Sequence, residues 1–215
     1  MSEPRSLRSR WRRPQRGICG WCHELEPGYD PPAGALNRYK TLDEIDALLE
    51  GHTSMVAELA TREVARIREL TREANQLERD ITQRVTDLAP TLLEIPGCGA
   101  LSAGKLIGEA ADISRFKSRD AYAMWAGVAP IPVWSGNPNR YRLNRGGNRQ
   151  TNAAIHRIAI TQLRIHPHAQ SFIQRRLAAG STKREAIRLL KRRLANVVYR
   201  TLLTDTQQPA LANAA

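Results

Sequence analysis

Between Ser54 and Leu88 the apolar residues Ala60, Ile67, Leu70, Ala74, Leu77, Ile81 and Leu88 recur close to a heptad seam. That spacing predicts one long, coiled-coil-like helix. Its exterior mixes signs, with Glu63, Arg66, Arg68, Glu69, Arg72, Glu73, Glu78, Arg79 and Asp80. Arg84 falls on a seam position and weakens it. The stripe predicts a contact with a sister subunit or with another helix of this chain, and both stay open. Shorter helices are read at Thr41–Glu50 and at Ser118–Gly127, the latter closed by Gly127 and carrying Tyr122 and Trp125 into a core. Gln150–Ile165 presents Ile155, Ile158, Ala159 and Leu163 on one side and stops at Pro167. Thr182-Lys183-Arg184-Glu185 has the form of a capping box. It opens a last helix whose Ile187, Leu190, Leu194, Val197 and Leu202 are expected to face inward.

The stretch Pro90–Asp112 has a helix–hairpin–helix pattern: an apolar lead-in, Pro96-Gly97-Cys98-Gly99, then an amphipathic helix. Gly97 and Gly99 permit a tight turn. The unpaired N–H groups opening the second helix, with its dipole, suit a backbone phosphate, and Lys105 adds charge. A plain turn packing on the core is the other reading.

These elements predict an all-α fold, a long coiled-coil-like helix followed by a helical domain containing a helix–hairpin–helix and a basic loop. Residues 1–40 read as a basic, disordered arm and linker, residues 41–89 as a short helix plus the coiled-coil helix, 90–203 as the helical domain and 204–215 as a disordered tail. The arm carries Arg5, Arg8, Arg10, Arg12, Arg13 and Arg16, and such arms stay solvated until they meet phosphates.

Charge sharpens the picture. The chain has 215 residues and a net charge of +12, which predicts a polyanionic partner. Between Asp120 and Asp205 the only acidic residue is Glu185, set against a dense series of cations from Arg140 to Arg200. A solvated helical face normally mixes signs, and this one does not. With aromatics at 5%, packing relies on Leu, Ile, Val and Ala. No apolar run approaches the ~20 residues needed to cross a bilayer, so no membrane partner is expected. Met1–Gln15 lacks the apolar core of a secretory signal. Three cysteines make no disulfide framework, which fits a reducing cytoplasm.

Two small constellations invite metal readings. Cys19-Gly20-Trp21-Cys22-His23 has the haem-attachment pattern, or half of a zinc site, but zinc wants four ligands and no second cysteine pair exists. Two cysteines without a metal is the default. Asp43 and Asp46 are spaced to share a helix face and could hold Mg²⁺, although first-turn acids favouring the helix dipole explain them more simply. His156, His166 and His168 share no clean metal spacing and read as surface or loop residues.

The candidate chemistry lies in Val133–Arg149. Ser135 sits beside Gly136, and Arg140, Arg142, Arg145 and Arg149 follow closely. Pro132, Pro138, Gly146 and Gly147 speak for a loop rather than a long regular element. The loop offers a potential nucleophile in a field for anions, of which a phosphodiester is the obvious one. A serine bonding its own turn is the alternative.

From about residue 54 to 203 the chain resembles the C-terminal half of the bacterial IS110/IS116-type insertion-sequence transposases. The resemblance is carried by LLEIPGCGALSAGKLIGE, DISRFKSRDAYAMWAGVAPIPVWSG, YRLNRGGNRQTNAAIHRIAITQLR and STKREAIRLLKRRLA, in that order. It implies a DNA recombinase that moves an insertion element, with Ser135 attacking DNA to form a covalent protein–DNA intermediate, and with an element-encoded guide RNA. The DNA- or RNA-binding residues would be Arg140, Arg142, Arg145, Arg149, Lys183, Arg184, Lys191 and Arg192, with Gly97, Gly99 and Lys105 at the helix–hairpin–helix phosphate contact. A homo-oligomer through residues 54–88 and a nucleoid-associated setting go with it. The family's other half is a RuvC-like nuclease fold whose acidic residues bind Mg²⁺. No alternating strands here would build it, so the expectation is a truncated form, without a metal of its own and weak or inactive alone. A non-catalytic nucleic-acid-binding and oligomerisation module is the alternative function.

Serine is a poor nucleophile at neutral pH and needs activation. In this sequence the help comes from guanidinium groups, which would neutralise the scissile phosphate and stabilise charge in the transition state.

Overall fold

The computed structural model describes residues 20–29, 31, 32, 34–133, 140–144 and 146–212. Among them, helix α1 spans Tyr39–Leu49, α2 Met55–Leu88, α3 Pro90–Leu93, α4 Ala100–Ala110 and α5 Arg119–Trp125, with a 3-10 turn at Ile113–Arg115. Strands β1 (Pro130–Val133) and β2 (Arg140–Leu143) follow, then α6 (Arg149–Ile165), α7 (Pro167–Ala178) and α8 (Lys183–Ala212). Among the described residues the fold is all-α with one two-stranded antiparallel ribbon. The chain divides into two compact units, Met1–Leu77 and Glu78–Ala215, and the division falls inside α2 rather than after it.

In the first unit, Cys22 and Leu36 pack with Leu42, Ile45 and Leu49 of α1 and with Ala57, Ala60, Val64 and Ile67 of α2. The described residues before α1, expected to be linker, therefore contribute to a core. Trp21, Cys22, Leu25 and Leu36 supply apolar cover that outweighs the surrounding prolines. Cys22 is buried there as a core side chain; Cys19 lies outside the described residues. Helix α1 begins at Tyr39, ahead of the predicted start, so its first turn contains no acid. The dipole reading of Asp43 and Asp46 is thereby corrected. Both carboxylates accept from Arg68 Nη2, each at 2.6 Å. The two bonds raise the Arg68 pKa, Asp43's the more strongly.

The seam of α2 is not continuous within the chain. Ala60 and Ile67 are buried in the first unit's core, and Ile81 packs half-buried against the second. Between them Ala74 and Leu77 are exposed, as is Leu88 at the end. Val64 and Val85, off the predicted seam, are buried instead.

In the second unit α3, a turn and α4 form a helix–turn–helix. Cys98 N donates to Ile95 O at 2.9 Å across Pro96-Gly97, and Gly97 has φ +80. Proline first and a left-handed glycine second make a type II turn. A Cβ on Gly97 would stand 3.0 Å from Thr161 Cβ, and Gln162 Nε2 donates to Pro96 O at 2.8 Å. The turn is thus held against α6.

Ser118 caps α5 through Ala121 N, and Tyr122 of that helix is wholly buried. Phe116, Tyr122, Trp125 and Tyr199 form an aromatic cluster with centroid separations of 4.9–5.9 Å. Helix α7 was not expected. Pro167 ends α6 but also occupies the first turn of α7, where its missing N–H costs nothing. The capping box forms as predicted, with Glu185 N donating to Thr182 Oγ1 at 3.3 Å and Thr182 N to Glu185 Oε2 at 2.8 Å. On α8 the inward stripe runs through Ala186, Leu190, Leu194, Val198 and Leu202, so Val197 is 44% exposed and not in the core. Helix α8 packs on α3, α5, α6 and α7, and Val197 lines a cleft beside those contacts. The helix also continues past Thr204 to Ala212. Asp205 is buried there and accepts from Thr91 N and Oγ1, the latter at 2.7 Å, tying α8 to the first turn of α3.

Candidate nucleic-acid interface

The sequence reads Val133–Arg149 as a loop. Its described part instead contains strand β2, paired with β1 so that Pro130 lies opposite Leu143, Ile131 opposite Arg142, Pro132 opposite Tyr141 and Val133 opposite Arg140. The prolines do not prevent this. Successive residues direct their N–H groups to opposite sides, and Pro130 and Pro132 share one side, leaving those of Ile131 and Val133 for the other. Ser135 and Arg145 lie outside the described residues. Arg140 and Arg142 are two apart on β2.

The hairpin's base is built from glycine and asparagine. After α5 the chain turns at Gly127, with φ +68, and Gly147 lies directly against it. Asn144 Nδ2 donates to Met124 O at 2.9 Å, and Asn148 N donates to Trp125 O at 2.7 Å. Asn152 Nδ2 donates to Ala126 O at 3.2 Å and to Gly127 O at 2.9 Å. Four successive carbonyls at the end of α5 thus receive donors from three asparagines spaced four apart. Asn148 also caps α6 by accepting from Thr151 N, while its Nδ2 donates to Glu109 Oε2 at 2.7 Å. Sequence reasoning passed over these asparagines. Their spacing, Asn144-x-x-x-Asn148-x-x-x-Asn152, was the available signal.

The predicted cations separate into two groups. Arg149 is the first residue of α6 and Lys183 and Arg184 open α8; all three are exposed. A helix dipole disfavours cations at this end, so these positions do not serve helix stability. Lys191 and Arg192 are different, because both are engaged within the chain. Lys191 is only 9% exposed, and its Nζ donates to Asn152 Oδ1. Burial pushes its pKa down, and the nearby Arg188 acts the same way. Arg192 is engaged by Asp120 and Asn196. Lys191 lies beside the buried stripe Leu190–Leu194–Val198, whereas Arg192 is held in a partly exposed pair with Asp120.

At the helix–turn–helix, Gly99 is the N-cap of α4, and no side chain caps that helix. Lys105 Nζ donates to Gln150 Oε1 at 2.7 Å, which brings it beside the start of α6 and not to the turn. His156 and His168 are exposed, and burial followed by the charge of Lys191 lowers the His156 pKa. A separate cleft has walls of Ile95, Phe172, Leu194 and Val197, with Arg193 and Arg200 beside them. None of the described candidate residues lines it.

Among the described residues, no three His, Cys, Asp or Glu side chains group closely enough to hold a metal ion. Asp43 and Asp46 do not fit one, because the Arg68 guanidinium already occupies the position between their oxygens.

Residues 89–174 match the model of the family described as "Transposase IS116/IS110/IS902 family". This segment is similar to the IS110-type transposase domain. The chain is 30% identical over 120 residues to the "Insertion element IS110 uncharacterized 43.6 kDa protein" of Streptomyces coelicolor, covering 55% of this chain and 30% of that protein. It is 31% identical over 137 residues to the "Insertion element IS900 uncharacterized 42 kDa protein" of Mycobacterium paratuberculosis, covering 59% and 33%. The aligned stretch spans about a third of the length of these curated relatives. The matched segment encloses Gly97, Gly99, Lys105, Ser135 and the arginines from Arg140 to Arg149; Lys183, Arg184, Lys191 and Arg192 follow it. No described helix is long and apolar enough to cross a membrane.

Proposed function

We propose that this chain acts in DNA transposition as an IS110-type recombinase in which Ser135 is the nucleophile. The observation that supports the reading is the family match across residues 89–174, which includes Ser135 and the arginine-bearing strand β2. Ser135 Oγ attacks a backbone phosphorus, a phosphoester bond to one sugar oxygen breaks, and that oxygen leaves with a proton. The hydroxyl of a second DNA end then attacks the serine phosphodiester, restoring the serine and joining the strands without ATP. Arg140, Arg142 and Arg145 neutralise the phosphate. Arg149, Lys183 and Arg184 hold the flanking backbone, as do the N–H groups opening α4 at Gly99, with the turn at Gly97 setting the approach. A guide RNA would meet the same exposed cations. Mg²⁺ belongs in this reading to the family's acidic half, and no step here is routed through it.

The test is to trap protein on DNA and denature it. A denaturation-resistant adduct on the wild-type chain, absent from Ser135→Ala, supports the reading. Equal binding by both with no adduct under any condition overturns it in favour of a non-catalytic nucleic-acid-binding and oligomerisation module. Leu77, exposed at 53% on α2, favours that second reading. Its oligomer contact would run through residues 54–88.

A further inference from the structure

We propose that Lys191 is a positioning residue for the β1–β2 hairpin, acting through Asn152 to hold the hairpin's base on the end of α5. Its consequence for strand transfer rests on the Ser135 reading above; the positioning itself does not.

A helix end leaves its last carbonyls without intrahelical partners. At the end of α5 the carbonyls of Trp125, Ala126 and Gly127 take donors from the chain leaving the hairpin, and Met124 O, which already accepts from Gly127 N, makes a fourth. Two of the four depend on one side-chain amide, that of Asn152. An amide turned by half a circle would aim Oδ1 at those carbonyls and repel them. Those carbonyls hold Nδ2 from one side and Lys191 holds Oδ1 from the other, because an ammonium can only donate. Lys191 thus fixes the second end of the amide and keeps Nδ2 toward Ala126 and Gly127.

The cost of that arrangement argues for its purpose. Lys191 is 9% exposed, and among the described residues no carboxylate forms an ion pair with it. Arg188 and His156 are the charged or titratable groups that bear on it electrostatically. A buried cation without a counter-charge is unfavourable, and a methionine would fill similar space without that burden. What a methionine lacks is the donor. The same base is closed by the backbone contact of Gly127 with Gly147, so the amide acts at a point with little slack.

Two variants of the full chain test this by amide hydrogen exchange. Asn152→Asp keeps an acceptor for Lys191 and gives it a charge partner, but replaces the donor facing α5 with oxygen. Lys191→Met removes the group that orients the amide and also the buried charge. In each, exchange across residues 128–148 is expected to rise roughly tenfold or more, with α6 and α8 within about twofold of wild type. Unchanged exchange in the hairpin overturns the assignment. So does a uniform rise through α6 and α8 in both variants, which would assign the pair to general stability. Adduct trapping on the same proteins is read separately. Hairpin loosening with no adduct even from wild type keeps the Lys191 assignment and removes the Ser135 reading. An unchanged hairpin removes the Lys191 assignment whatever the adduct yield.

Discussion

Gly147 lies so close to Gly127 that a Cβ added to Gly147 would stand 2.2 Å from the Gly127 Cα and 2.4 Å from its nitrogen. Backbone meets backbone, so no rotamer change relieves the clash. Overpacking costs about 1–3 kcal/mol where side chains can yield, and Gly147→Ala is expected at or above the upper end. Gly146 is the control: its nearest neighbour would be Asn144 Oδ1 at 3.6 Å, so Gly146→Ala should stay within about 0.5 kcal/mol of wild type. Urea unfolding compares them, and equal midpoints would mean that the hairpin base gives way freely.

Arg68 bridges two carboxylates contributed by one turn of α1. The pair is partly exposed, with Asp43 at 65% and Asp46 at 38%, so solvent screens it. Arg68→Met is therefore expected to destabilise the chain by only about 0.5–1 kcal/mol. The loss should shrink at molar salt, where wild-type ion pairing is itself weakened. A loss that is large and indifferent to salt would show that the guanidinium acts through packing.

What could be read from sequence was local. The capping box at Thr182 and Glu185 and the turn at Pro96-Gly97 are short motifs whose chemistry dictates one backbone path, and both form. The stripes of α6 and the first part of α2 also bury as their periodicity suggested. What escaped depended on partners distant in sequence. Asp205 reads as part of a frayed tail until Thr91 is seen beside it. Lys191 and Arg192 read as exposed cations in a basic run until Asn152 and Asp120 are placed next to them. Pro167 reads as a stop, and its second role as a start needs the following turn to pack. In the hairpin, the prolines hid an alternation that only the pairing of Ile131 with Arg142 makes visible.

Burial raises the Cys98 thiol from its ordinary 9.0 to about 11. Burial raises the Tyr122 hydroxyl as well, with Cys98 adding to the effect. Below 9.0 both folded and unfolded chains keep the Cys98 proton, and the group adds no pH dependence. Between 9.0 and about 11 the unfolded chain loses it while the folded chain does not, so stability falls as pH rises. Cys98→Ala should flatten part of that alkaline fall, leaving the share due to Tyr122. Unfolding free energies from pH 8 to roughly pH 11 test the sign; a wild-type curve no steeper than that of the variant would contradict it.

The division of the cations makes the sharpest prediction about DNA. Each side chain that neutralises a phosphate releases condensed counterions and contributes just under one unit to the slope of log affinity against log salt. Arg149, Lys183 and Arg184 are exposed, and all three sit where the helix dipole favours an anion beside them. Replacing all three with alanine is expected to flatten the slope for duplex DNA by roughly two to three units. Lys191→Met and Arg192→Ala remove the same formal charge per residue, but Lys191 is spent on Asn152 and Arg192 on Asp120 and Asn196. Their slopes should stay close to wild type. Fluorescence anisotropy across a salt series separates the groups, since loss of long-range attraction alone would weaken binding similarly for every lost charge. If Lys191→Met flattened the slope as much as one of the exposed positions, its ammonium would have to reach phosphate, and its bond to Asn152 would have to open when DNA binds.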